Sequence, residues 1–169
     1  MKWRRTAVAV ALVILGVALQ TTLFVRLRPF GASPALALLV TLAVSRHLGR
    51  VASLFVGFAT GLLLDLLSET ALGLWALVLT VVAFITVRLR RRFEDDVTLL
   101  IPGVFVLTFA ALALYALLGT IFGEQTLADA QVVWKMLLPA VYNTILSPLI
   151  LPPVTRLIGE RGGRPGWDL

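Results

Sequence analysis

Apolar residues fall in six stretches separated by short polar or charged connections: Ala7–Val25, Pro34–Val44, Val51–Leu67, Leu72–Val87, Val97–Phe122 and Val132–Ile158. A helix needs about 20 residues to cross the hydrocarbon of a bilayer, and most of these stretches approach or exceed that length. The second is short and opens at Pro34, a residue suited to a helix start; it reads as a tilted or half-inserted helix. The fifth is long enough to tilt. The sixth is broken by Pro139, Pro148 and the pair Pro152–Pro153. The pattern predicts an all-α, polytopic membrane protein: one six-helix transmembrane bundle over residues 1–160, then a Gly- and Pro-containing tail, 161–169, expected to be flexible and cytoplasmic.

Composition agrees with that picture. Of 169 residues, 59% are hydrophobic and 14% charged, too few polar groups to cover a soluble surface but enough for a lipid-facing one. The net charge of +6 would suggest a nucleic-acid partner in a soluble protein. Here the basic residues sit in tails and loops, as orientation signals and attraction to anionic headgroups require; no nucleic-acid partner is expected. The N-terminal Met-Lys-Trp-Arg-Arg and the apolar run after it resemble a signal peptide. That run is long enough to span, and no cleavage site followed by a polar domain succeeds it, so it reads as a retained first helix.

Counting Lys and Arg orients the bundle. Lys2, Arg4 and Arg5, then Arg46 and Arg50, then Arg88, Arg90, Arg91 and Arg92, and finally Arg156, Arg161 and Arg164 fall on one side. The other side carries Arg26 and Arg28, a loop with Glu69, and Lys135 set against Glu124 and Asp129. Cytoplasmic loops hold the basic excess, so six spans put both termini in the cytoplasm, whereas five would place one basic tail outside. The cluster Arg88–Asp96 reads as topology plus helix-dipole complementarity, with a docking surface for a cytoplasmic partner as the alternative.

The third stretch carries the most distinctive chemistry. Ser53, Gly57, Gly61 and Asp65 recur every four residues, a slowly winding stripe along one helix. Gly57-x-x-x-Gly61 permits close approach of another backbone, within the chain or from a partner. A carboxylate at Asp65 is costly in an apolar stretch and calls for a partner group: backbone, the hydroxyls of Ser68 and Thr70, or a contact that orders the bundle or a partner helix. In the sixth stretch Tyr142, Asn143, Thr144 and Ser147 lie between Pro139 and Pro148. They either repair carbonyls freed by proline or line a shallow groove formed by Pro139, Asn143, Ser147 and Pro148. His47 reads as solvated, and Trp3, Trp75 and Trp134 as interfacial anchors. The chain has no cysteine and one histidine, so no metal site is expected. No nucleophile–base arrangement or phosphate-binding glycine loop is present, which argues against an enzyme, and no cofactor is expected.

At Gly57-Phe58-Ala59-Thr60-Gly61-Leu62-Leu63-Leu64-Asp65-Leu66-Leu67, followed by Leu72-Gly73, the sequence resembles the rod shape-determining protein MreD family. Gly57, Gly61, Asp65 and Gly73 stand at the positions of that family's motif, and the basic N-terminal tail, early Pro34 and chain size agree with it. The resemblance implies a non-catalytic component of the bacterial elongation machinery in the inner (cytoplasmic) membrane. Such a scaffold binds an MreC-type bitopic protein and, indirectly, an MreB-type cytoskeleton and the peptidoglycan synthases. The layout is also similar to the substrate-binding components of energy-coupling-factor vitamin transporters. Ala7 and Ala11 match their Ala-x-x-x-Ala pattern, but the outer loops here are short and poor in polar and aromatic residues.

Overall fold

A computed structural model describes residues 2–26, 32–68, 72–95, 97–123 and 131–158. Arg28, Glu69, Thr70, Glu124, Asp129 and the tail 161–169 lie outside the described residues, as do the side chains of Trp3, Arg4, Arg91, Arg92, Glu94 and Asp95. Six helices follow in order: α1 (Lys2–Arg26), α2 (Leu36–Ser45), α3 (Arg50–Leu67), α4 (Leu74–Asp95), α5 (Val97–Ile121) and α6 (Val132–Ile158). Among the described residues there is no strand. Four helices, α1, α3, α5 and α6, are long and apolar enough to cross a membrane. Helix α4 has 22 residues, about 33 Å of rise, and its apolar part ends where Arg88 and Arg90 begin.

Helix α2 is the centre of the bundle. It touches all five other helices, and all ten of its residues are buried. A helix apolar on every side belongs inside, and Leu-Ala-Leu-Leu-Val-Thr-Leu-Ala-Val-Ser is of that kind. Ten residues rise only about 15 Å, half the hydrocarbon thickness of about 30 Å. The non-helical stretch Ala32–Ala35 precedes it, with Ala32, Pro34 and Ala35 buried, and can add at most about 14 Å. Pro34 thus stands just before the N-cap Ala35 and not in the helix, a shift from the start expected at that proline. Non-helical backbone at membrane depth is tolerated where protein surrounds it, and here the bundle does.

A half-length helix leaves orphan groups at both ends, and its neighbours supply them. At the N-terminal end, Gln20 Oε1 of α1 accepts from the Ala37 N–H (2.8 Å), and Asn143 Nδ2 of α6 adds a second donor (3.0 Å) to the Ala35 carbonyl, which already accepts from the Leu39 N–H. At the C-terminal end, the Ser45 carbonyl accepts from Ser53 Oγ (3.2 Å) and Arg90 Nη2 (2.9 Å). Arg90 Nη2 also donates to the Leu48 carbonyl, so one guanidinium from α4 ties down the turn between α2 and α3.

Helix α6 runs unbroken through its four prolines, against the interruption expected. Pro148 lacks the N–H that would bond Thr144 O, and Ser147 Oγ donates to that carbonyl instead (2.8 Å). His47 is half-buried, with Nε2 3.1 Å from Thr155 Oγ1 of α6, and so is not the solvated residue expected from its loop position. Trp75 is half-buried and stacked on Tyr115, ring centroids 4.4 Å apart, while Trp134 is exposed.

Replacing Arg90 by Gln removes two charge-assisted hydrogen bonds to backbone carbonyls, each worth about 1.5–3 kcal/mol. The variant is expected to lose about 2 kcal/mol or more of stability in detergent, measured by denaturant titration against wild type. An unchanged midpoint would show that the α2–α3 turn holds without this residue.

Candidate functional site: the α3–α4 hairpin

The four-residue spacing that marks α3 in the sequence meets α4 over most of its length. The two helices are antiparallel: Gly57 lies against Leu79 and Ala83, Gly61 against Trp75 and Ala76, and Asp65 against Gly73 and Trp75. A Cβ added at Gly57 would stand 2.6 Å from the Leu79 carbonyl oxygen. One added at Gly61 would overlap the Trp75 carbonyl oxygen and the Ala76 Cα. Both neighbours are backbone, which has no rotamer to change, so both positions require glycine for α4 to come this close.

Asp65 closes the same seam. Its side chain is 1% exposed, and its oxygens accept three backbone N–H groups at the start of α4. Gly73 and Ala76 donate to Oδ2 (3.0 and 3.1 Å), and Trp75 donates to Oδ1 (3.0 Å). The first turn of a helix has N–H groups without intrahelical partners and a positive dipole end. A carboxylate from the neighbouring helix supplies both acceptors and charge, through bonds stronger than those between neutral groups. Gly73 completes the device: it turns the chain with φ +98°, a backbone region that side chains disfavour, and so presents its own N–H to Asp65.

Ser53, the first member of the stripe, serves elsewhere: it is fully buried and donates to α2, as described above. The structure therefore gathers Gly57, Gly61, Asp65 and Gly73 into one intrachain seam and sets Ser53 one helix away. The residues expected to form a groove on α6 do not line one together. Pro139, Asn143 and Ser147 face the interior, while Pro148 is exposed on the other side. Asn143 is fully buried among α2, α5 and α6, donating to the Ala35 carbonyl and lying 3.4 Å from Thr108 Oγ1. The reason is helical: positions 139, 143 and 147 share a face one turn apart, and 148 falls about 100° away.

A different groove opens between α1, α2 and α6. Leu15, Gly16 and Leu19 form one wall, Val40 the floor, and Leu149 and Pro153 the other wall. Gly16 belongs to it for the reason that governs α3: a Cβ there would stand 2.9 Å from Val40 Cγ2. Sequence reading passed over this place because an apolar surface on apolar helices has no residue-type signature. Gly16, alone in the run Ala7–Val25, was the available signal.

Among the described residues no group of three or more His, Cys, Asp or Glu is placed to hold a metal ion. Asp65, committed to three backbone donors, is arranged to hold a helix end.

The glycines are expected to rank by what their added methyl would meet. Gly61→Ala, which collides with backbone, should cost about 3 kcal/mol or more; Gly57→Ala should cost less; Gly16→Ala, which meets a side-chain methyl, about 1 kcal/mol or less. Unfolding titrations of the three purified variants check the order, and a Gly61→Ala protein as stable as Gly16→Ala would overturn the account of the seam. Asp65→Asn, which keeps one acceptor oxygen but loses the charge, should be less damaging than Asp65→Leu, which strands three N–H donors at about 1–3 kcal/mol each.

No curated protein and no solved structure matches this chain. The family model described as rod shape-determining protein MreD matches residues 3–153, a span that takes in the hairpin seam, the buried α2 and most of α6. The chain belongs to the MreD family of rod shape-determining proteins and has a role in rod shape determination.

Proposed function

We propose that this protein is a non-catalytic scaffold of the cell-elongation complex in the bacterial inner membrane, with both termini in the cytoplasm. It holds the transmembrane helix of an MreC-type single-span partner. Through that partner it supports an MreB-type cytoskeleton and lateral peptidoglycan synthesis. The observation that carries this reading beyond family membership is the distribution of the two close-packing surfaces. The seam of Gly57 and Gly61 is filled by α4, so it does not serve a partner. The groove between α1, α2 and α6 is apolar and unfilled. Helices associate in lipid through close van der Waals packing, and a groove floored by Val40 and opened by Gly16 offers that to an added helix.

The same lining speaks against a vitamin-binding component of a transporter. Such a ligand needs convergent polar groups, and the Leu, Ile, Val, Gly and Pro side chains of this groove supply none there.

Leu15→Trp combined with Leu149→Trp fills the groove from its lipid-facing walls while leaving the interior untouched. Co-purification of an MreC-type partner from detergent is expected to fall about tenfold, the equivalent of 1.4 kcal/mol, with the melting temperature unchanged. Full retention of the partner would remove the groove from the reading, and a tightly bound vitamin in the pure wild-type protein would overturn the scaffold itself. Leu at Gly57 or Gly61 is unsuitable for this test, because either would break the hairpin first.

A further inference from the structure

Two arginines at the basic end of the α3–α4 hairpin share one aromatic ring. The guanidinium carbon of Arg50, the first residue of α3, lies 5.4 Å from the centroid of the Phe84 ring, and that of Arg88, one turn further along α4, lies 5.3 Å from it. Cation–π attraction to the ring favours both placements. Two like charges gathered on one ring also repel each other. Both arginines are exposed, and among the described residues no hydrogen bond or ion pair occupies either one. An anion at this end of the hairpin is attracted by both charges.

Their surroundings indicate the kind of anion. Arg50 begins a helix long and apolar enough to cross the membrane, so both guanidinia sit at headgroup depth. Beside them, α3 exposes Val51 (67%), Phe55 (71%) and Phe58 (50%) along one lipid-facing strip. The first turn of α3 has no side-chain cap and no acidic residue, which adds the positive end of the helix to the local field. Positive charge at the interface continuous with an apolar strip is complementary to a lipid with a negatively charged phosphate and acyl chains. Guanidinium is also the cation best matched to phosphate, through paired N–H donors.

We propose that Arg50, Phe84 and Arg88 form a binding site for the phosphate of an anionic phospholipid, whose acyl chains lie along Val51, Phe55 and Phe58. Phe84 positions the two guanidinia, and the guanidinia bind the phosphate. The site is separate from the α1–α2–α6 groove and does not depend on the partner assigned there.

The test is native mass spectrometry of the full chain purified from membranes and exchanged into micelles containing phosphatidylglycerol and phosphatidylethanolamine in equal amounts. Wild type is expected to retain phosphatidylglycerol preferentially, and Arg50→Gln with Arg88→Gln to lose about tenfold in that preference. Phe84→Leu is expected to lose part of it, with retention of phosphatidylethanolamine unchanged. The paired Lys variant, which keeps charge but lacks the planar fork, should fall between wild type and the Gln pair. Raising the salt concentration should strip phosphatidylglycerol from wild type, a readout that needs no variant. The proposal is overturned if the Gln pair retains phosphatidylglycerol like wild type. It is equally overturned if Arg156→Gln, at an exposed arginine on α6, loses as much, since net charge alone would then explain retention.

Discussion

The bundle depends on a buried carboxylate at the end of a membrane-length helix. Asp65 lies inside α3 near its end, and a carboxylate in such a segment needs partner groups. Three N–H groups from the start of α4 make it favourable, and they are in turn the groups that α4 cannot bond internally. Each is the other's remedy, and the exchange works only at one register of the two helices. Gly57 and Gly61 permit the separation at which Asp65 reaches α4, and Gly73 bends the chain so that three donors point at it. Four residues spread over 17 positions thus act as one device, which is the physical content of the Gly-x-x-x-Gly-x-x-x-Asp and Leu-Gly pattern.

The same logic repeats around α2 with different chemistry. Its termini lie inside the protein, and Gln20, Asn143, Ser53 and Arg90 come from four helices to bond them. Among the described residues, these side chains and Asp65 bond backbone on a neighbouring element, whereas the hydroxyls of Thr41, Thr60, Thr80 and Thr86 bond carbonyls one turn back on their own helices. The outer faces of the bundle are apolar and general, while its interior is specified by single hydrogen bonds.

Much of this architecture was legible in the sequence, because the bilayer imposes a length and a polarity that show directly as apolar runs. Six helices and the brevity of the second follow from that constraint, and the importance of the α3 stripe follows from the cost of Asp65. What lay beyond reach was tertiary. Nothing local distinguishes an arginine that orients a loop from one, like Arg90, that bonds two carbonyls on another helix. Gln20 stood in an apolar run without a nearby partner, which marks a need but not the residue, Ala37, that meets it. The prolines of α6 signalled a break because the hydrogen bonds they remove are predictable, whereas repair by Ser147 depends on a side-chain rotamer.

The short α2 also bears on how the protein comes to exist in its membrane. A segment of ten residues does not meet the length condition for entering the hydrocarbon by itself, and alone there it would present bare backbone at both ends to lipid. Its seat is created by the five helices around it, two of which, α5 and α6, are synthesised long after it. Its seat is therefore complete only once those helices are made, although the segment is among the first to be made. Until then the faces of α2 that α5 and α6 cover have no protein against them.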